Sequence, residues 1–309
     1  MKYLVYVGLL LFVYIIATLD LSLLGQHLRS ANWWLLACAF LLNIPMVYLK
    51  SYRWKKILSN QGIYITSHKS FSYYISSLYL GFITPGRVGE ISRLYYLKKD
   101  YTKKNYGELL SSVVLDRLFD LYLLVILTII GFLYLSLEVE ISYQFLFLSL
   151  FFVAPYLVIK LGVVNILIHT LARKYSSKFH TNVAIFFKEF NFFIMRSLNL
   201  NSILYLMLLT IFSYTVFFLQ VYLIATSINL DVDLITLIFI MAISNTLSLL
   251  PISISGIGTR DMVLIYFLTP MGYLSEMAVT YSSLIFLIFF AGCSLIGFFY
   301  FKKNLLVIK

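Results

Sequence analysis

The length of its uninterrupted apolar runs constrains this chain more than any other feature. They lie near 3–19, 32–49, 109–135, 143–160, 203–226 and 277–301, and about 20 apolar residues carry a helix across the hydrocarbon core. A strand barrel would alternate apolar and polar residues in segments of about 10, and 121–135 and 203–211 do not alternate. Composition agrees: 61% of residues are hydrophobic and 12% charged, with a mean hydropathy of +0.91, where a soluble domain runs nearer half and a quarter. The sequence predicts an all-α integral membrane protein of about six full spans. It forms a single transmembrane domain over 1–309, with no room for a soluble catalytic domain.

Two apolar segments do not fit simple spans. Residues 71–84 are too few to cross and end at Pro85-Gly86, while 234–250 end at Pro251 and are followed by a short run, 262–268. Charge decides how they are placed. Loops 50–69, 87–108 and 169–202 and the C-terminal tail are rich in Lys and Arg, whereas 136–142 and 227–233 carry Glu138, Glu140, Asp231 and Asp233 and no basic residue. The positive-inside rule puts the basic loops and both termini in the cytoplasm, and explains the net charge of +11 without a nucleic-acid partner. Both flanks of 70–97 then lie inside and both flanks of 234–268 outside, so each segment is expected to be a re-entrant or broken-helix hairpin. Halves 1–140 and 141–309 would share one plan in opposite orientation, an inverted-topology repeat of the kind many transporters use.

The chemistry-bearing residues gather at these breaks. The first tip reads Thr84-Pro85-Gly86-Arg87-Val88-Gly89-Glu90-Ile91-Ser92-Arg93. Its glycines permit a broken helix, a new half-helix near Val88 would present backbone N–H groups, and Arg87 and Arg93 suit a phosphate or carboxylate. Glu90 and Arg93, three apart, can also pair with each other. A second group, Asp116, Arg117 and Asp120, lies inside the run 109–135. Charges at that depth are costly and face the bundle interior, as an ion network or as part of a substrate path. The third group follows Pro251: Gly256, Gly258, Arg260 and Asp261, where an Arg and a carboxylate in series could pair alternately with each other and with a charged head group.

Other positions carry less. Asn43 and Pro45 are expected to kink the second span and Gln220 to bond between helices; Trp33-Trp34 and Tyr52-Arg53-Trp54 read as interfacial belts. Cys38 and Cys293 read as small core residues. His27, His68, His169 and His180 are too scattered for a metal site, and no HExxH, GxSxG or Gly-Lys-Ser motif is present. Neither cofactor nor metal is expected. The first run lacks a small-residue cleavage site before Asp20 and reads as a retained anchor.

The Pro85–Arg93 tip, the Asp116-Arg117…Asp120 triad and Pro251…Gly256-Ile257-Gly258…Arg260-Asp261, in that order, resemble the lysylphosphatidylglycerol synthase transmembrane-region family of flippase-like membrane proteins. Members of that family often carry Glu where this chain has Asp116 and Asp261. In the multiple peptide resistance factor, a similar region is joined to an aminoacyltransferase and is implicated in moving its lipid product between leaflets. This chain, ending at Lys309, is expected to lack that catalytic part. The resemblance implies a plasma-membrane translocase-like protein, not an enzyme, for an anionic phospholipid or polyprenyl-phosphate-linked envelope lipid. In it Arg87 and Arg93 would take the phosphate from the cytoplasmic side and Arg260 receive it from outside, while Glu90, Asp116, Arg117, Asp120 and Asp261 exchange partners. Two rivals are an accessory subunit that positions an envelope-biosynthesis glycosyltransferase, and a lipid-modifying transferase using Glu90 with the Asp116–Asp120 group.

Overall fold

The computed structural model describes residues 14, 21–135, 189–197, 199–249, 253 and 255–306. The described residues are helical, with no strand among them. Four apolar rods are long enough to cross a membrane: Trp33–Asn60, Tyr106–Leu135, Leu200–Ser227 and Ser275–Asn304. They take up the runs expected at 32–49, 109–135, 203–226 and 277–301. The runs at 3–19 and 143–160 lie outside the described residues, as does Pro251.

In chain order the helices are α1 (Leu21–Arg29), α2 (Trp33–Leu41), α3 (Asn43–Asn60), α4 (Ser67–Ile83), α5 (Arg93–Asp100), α6 (Tyr106–Leu135), α7 (Leu200–Ser227), α8 (Leu234–Ser248), α9 (Thr259–Leu268), α10 (Ser275–Ile285) and α11 (Gly292–Leu306). Their ends follow local chemistry. Asn32 caps α2 by accepting from the N–H of Trp34 at 3.1 Å, Asn199 caps α7 and Asp233 caps α8; each supplies an acceptor to a first-turn N–H that has no helical partner. At the end of α3, Gly62 adopts φ 78°. Its N–H donates to Ser59 O and that of Ile63 to Leu58 O, the paired bonds of a Schellman turn.

That stop corrects the sequence reading of 50–69 as a basic loop. Nothing between Lys50 and Asn60 breaks a helix, so α3 carries Lys50, Arg53, Lys55 and Lys56 on its last three turns. Trp54, expected at an interfacial belt, is wholly buried, whereas Trp33 and Trp34 are exposed. Cys293 is buried and Cys38, expected in the core, is exposed.

Two rods are irregular, and the irregularities meet. The rod Trp33–Asn60 is interrupted at Leu42, between α2 and α3, and the rod Ser275–Asn304 contains a π-helical stretch, Phe286–Ala291. Asn43 Nδ2 donates to the Ile288 carbonyl of that stretch at 2.7 Å. Gln220 Nε2, on α7, donates to Asn43 Oδ1 at 3.0 Å and to Ala39 O at 2.7 Å. The kink expected at Asn43 and the bond expected from Gln220 are thus one polar node joining three rods. Within apolar surroundings such groups gain most from bonding one another.

Small residues set the remaining contacts. Helix α4 buries Ser70, Ser76 and Ser77 completely and lies along α11, where Asn304 Nδ2 donates to Ser76 Oγ at 2.9 Å. A Cβ on Gly297 would come within 2.6 Å of Ile75 O, so only glycine permits this approach. Helix α8 meets α6 in the same manner, with Gly131 under Phe239 and the hydroxyls of Thr128 and Thr246 2.9 Å apart.

Candidate functional site

The segment after α4 turns sharply. Gly86 and Arg87 both take left-handed φ, 59° and 55°, inside the tight 3-10 stretch Pro85–Ser92. Glycine takes that conformation freely; arginine does so at a cost in strain. Thr84 fastens the turn by accepting from Gly89 N at 2.7 Å and donating its hydroxyl to Leu80 O at 3.0 Å. The returning backbone passes so close that a Cβ on Gly89 would stand 2.2 Å from Leu80 O. The turn directs Glu90 and Arg93 inward and leaves Arg87 beside a cavity.

Inside, α3, α5 and α6 contribute a dense ion cluster. Arg53 donates from Nη2 to Asp116 Oδ1 at 2.7 Å, from Nη1 to Asp120 Oδ1 at 2.8 Å and from Nη1 to Thr210 Oγ1 at 2.8 Å. Arg93 reaches Asp116 Oδ2 at 2.9 Å and Glu90 Oε2 at 3.0 Å, with its guanidinium 4.4 Å from the Tyr74 ring centre. Arg117 reaches Glu90 at 2.8 Å, Asp116 at 3.2 Å and Asp120 at 3.3 Å, and donates to Tyr74 Oη. Lys50 approaches Asp120 at 3.4 Å. Four cations, Lys50, Arg53, Arg93 and Arg117, thus share three carboxylates, Glu90, Asp116 and Asp120. The buried arrangement persists because nearly every charge has several opposite neighbours, and one positive charge is left over.

The cluster forms one side of a cavity of ≈ 370 Å³, within the range of small-ligand sites. Lys50, Arg87 and Arg117 line it with Glu90 and Asp120, while Met46, Leu121, Leu124, Phe217 and Phe289 supply apolar wall. Among the described residues Arg87 has no carboxylate within ion-pair distance; its guanidinium lies against the rings of Phe82 and Phe290, at 5.5 and 5.7 Å.

Of the residues singled out in the sequence, Glu90, Asp116, Arg117 and Asp120 meet in one cluster, and Arg93 joins them as a wholly buried partner rather than lining the cavity with Arg87. The third group lies apart from the cluster. Asp261 Oδ2 accepts from Gly258 N at 2.7 Å and closes the start of α9, so it is not paired with Arg260, which donates from Nε to Ser282 Oγ at 2.9 Å. Gly256 and Gly258 both hold positive φ. The two breaks do touch: Ser255 donates its hydroxyl to Phe82 O at 2.6 Å.

Lys50, Arg53, Tyr74 and Thr210 were not anticipated as members. A signal for Arg53 exists, since Asn43, Met46, Lys50, Arg53 and Ile57 follow one another at intervals of three and four, a single helical face continuing past the apolar run.

The model of the family described as "Lysylphosphatidylglycerol synthase TM region" matches residues 2–297. The chain belongs to this family. Two curated relatives from Methanocaldococcus jannaschii are similar along much of their length. The UPF0104 membrane protein MJ1595 is 27% identical, over 84% of this chain and 81% of that protein. The UPF0104 membrane protein MJ1078 is 25% identical, over 62% of this chain and 79% of that protein. As a lysylphosphatidylglycerol synthase TM-region protein, the chain is a multi-pass membrane protein.

Proposed function

We propose that this chain is a flippase-like translocase for the phosphate-bearing head of an anionic phospholipid or a polyprenyl-phosphate-linked envelope lipid. The observation that carries the reading is the cavity: an apolar wall, three lining cations, and Arg87 without a carboxylate partner among the described residues. A guanidinium held beside a ligand-sized apolar space matches an amphiphile with an anionic head. The surplus positive charge of the neighbouring cluster points the same way. In this reading Arg87 takes the phosphate, and the Glu90–Arg117–Asp120 bonds that border the cavity rearrange as it loads. Arg93, Arg53 and Asp116 hold the frame.

The membrane arrangement that goes with this reading has residues 70–97 and 234–268 as re-entrant hairpins, the basic termini in the cytoplasm and the protein in the plasma membrane. Irregular backbone at membrane depth is tolerated where it is buried in protein or lines a cavity. The left-handed turn at Gly86–Arg87 beside the cavity suits that rule, and the contact between Ser255 and Phe82 suits two facing halves, 1–140 and 141–309. The role is transport rather than catalysis.

Leaflet-resolved movement of labelled lipids in liposomes tests the proposal, with phosphatidylglycerol, its lysyl form and a short polyprenyl phosphate each compared in wild type and Arg87→Gln. Movement of a panel member that the substitution abolishes is the expected result. A wild-type protein that moves none of them, or an Arg87→Gln protein that moves lipid at the wild-type rate, overturns it.

A further inference from the structure

The cavity and the cluster behind it hold more positive charge than their own carboxylates neutralise. Lys50, Arg53, Arg87, Arg93 and Arg117 face Glu90, Asp116 and Asp120, so among the described residues two positive charges are in excess. Arg260 and Asp261, one of each sign, do not line the cavity and leave that excess unchanged. Other carboxylates are engaged elsewhere: Asp100 with Lys69, Glu108 with Lys104, and Asp233 at the start of α8. Uncompensated charge in an apolar enclosure is costly, and a cleft lined by one sign of charge concentrates ligands of the other.

The excess is not spread evenly. Arg53 and Arg93 do not line the cavity, and each makes two ion pairs of 3.0 Å or less. Arg117 lines it but is held by Glu90 at 2.8 Å. Lys50 is held least. Among the described residues its carboxylate contact is Asp120 Oδ2 at 3.4 Å, an oxygen that Arg117 Nη1 also approaches at 3.3 Å, while Asp120 Oδ1 keeps Arg53 at 2.8 Å. Asp120 therefore stays paired when Lys50 turns away. The Lys50 ammonium also lies 4.3 Å from the centre of the Tyr214 ring, part of the cavity lining, a contact that attracts the charge without neutralising it. Lysine carries its charge as a compact point on a flexible stem, so it can follow a ligand. Arg87, from the tip, and Lys50, from α3, are thus the two cations left for a ligand to satisfy.

We propose that the ligand of the cavity carries two negative charges on phosphorus, as a terminal phosphate or a diphosphate, and that Lys50 joins Arg87 in holding it. The inference rests on the reading of the cavity as an anionic-lipid site and narrows its substrate. A phosphodiester such as phosphatidylglycerol brings one negative charge and leaves one cation uncompensated. Its aminoacyl ester adds positive charge to a site that is already positive. A lipid that ends in a free phosphate, or is joined through a diphosphate, leaves neither cation unmatched. On loading, Lys50 exchanges Asp120 for the phosphate, and Asp120 passes wholly to Arg53 and Arg117.

Two lipids that differ by one methyl group test this without depending on transport. Dioctanoyl phosphatidic acid is mostly doubly ionised at about pH 8, since the second ionisation of a phosphate monoester lies near about 6; its methyl ester, dioctanoyl phosphatidylmethanol, carries one charge. Each is titrated at that pH against the full chain in detergent, in wild type, Arg87→Gln, Lys50→Met and Lys50→Arg. Wild type is expected to bind the acid about tenfold or more tighter than the ester, the gain of one further charge-assisted contact. Arg87→Gln weakens both lipids about tenfold. Lys50→Met brings the acid to within about twofold of the ester, and Lys50→Arg restores the preference. Inorganic phosphate, with no tail for the apolar wall, competes only at concentrations about a hundredfold higher or more. The wild-type comparison stands without any variant, and Lys50→Gln serves where Lys50→Met does not fold. Equal wild-type affinity for acid and ester, both lost in Arg87→Gln, overturns the two-charge assignment while leaving the anionic-lipid reading in place. A preference that survives in Lys50→Met overturns the role of Lys50. Neither lipid binding to wild type, or inorganic phosphate competing as well as the acid, overturns the anionic-lipid reading itself, and this inference with it.

Discussion

Asp116 is gripped by Arg53 in two ways at once: its Oδ1 accepts from Nε at 2.9 Å and from Nη2 at 2.7 Å, and its backbone carbonyl accepts from the same Nη2 at 2.9 Å. Both residues are wholly buried. The pair couples the last turns of α3 to the middle of α6, and Arg93 uses the other oxygen of Asp116 to add α5.

Removing that carboxylate leaves Arg53 with Asp120 and Arg93 with Glu90 as their remaining carboxylate partners, and takes one negative charge from a cluster that already has one positive charge too many. Asp116→Ala is expected to destabilise the protein by about 3–5 kcal/mol, the usual cost of breaking a buried ion pair from one side. Thermal unfolding in detergent checks it. Asp116→Glu keeps the charge and should recover much of the loss, whereas an Ala variant melting with wild type would show that the cluster contributes nothing to the fold.

Arg87 separates binding from stability. Its φ of 55° suits glycine better than arginine, so Arg87→Gly is expected to melt no lower than wild type and yet to lose lipid movement. Loss of both would mark Arg87 as structural.

Gly89 tests the tip. An added Cβ would meet the backbone oxygen of Leu80, which has no flexible end to move. Gly89→Ala is therefore expected to cost about 1–3 kcal/mol as overpacking and to open the turn. Gly25→Ala, at a site with nothing within 4 Å, serves as the control and should leave the melting temperature unchanged or slightly raised by better helix propensity.

Asp233 supplies a pH dependence outside the spans. Hydrogen bonding from Thr236, by its hydroxyl and by its backbone N–H at 2.9 Å, holds the Asp233 carboxyl below its usual range. A carboxyl depressed in the folded state stabilises above its unfolded value of about 3.9 and loses that contribution as pH falls through the lowered folded value. Hydrogen-exchange protection at the first turn of α8, measured relative to the intrinsic rate at each pH, should fall below about pH 4 in wild type. In Asp233→Ala that protection should already be low at neutral pH, since the cap is gone.

The four long rods were legible because apolar length is written directly into the sequence, and Pro85-Gly86 announced the first break for the same local reason. The Asp116–Asp120 spacing placed those carboxylates on one helical face and Glu90 one turn from Arg93. Which cations would meet them was less visible. Lys50 and Arg53 follow an apolar run and look like ordinary loop charges; only the continuation of α3 to Asn60, and the packing of α6 against it, turns them inward. Arg260 was visible as a charge, but its separation from Asp261 depends on the backbone of Gly258, and Phe290 looked like one more apolar residue. Local chemistry speaks through spacing, whereas the choice of partner is made by tertiary approach.

The bond from Asn43 to the Ile288 carbonyl, with Gln220 holding the far side of Asn43, gives the bundle a fulcrum. Arg53 Nη1 to Thr210 Oγ1 and Asn60 Nδ2 to Ser202 Oγ fasten α3 to α7 at two further levels, so these two helices tilt together about Asn43 against the rod Ser275–Asn304. Asn60 lies 17 residues beyond the pin, about 25 Å along α3, so a tilt of about 5° displaces that end by about 2 Å. The opposite ends move the other way, and a small widening at one face of the bundle becomes a narrowing at the other.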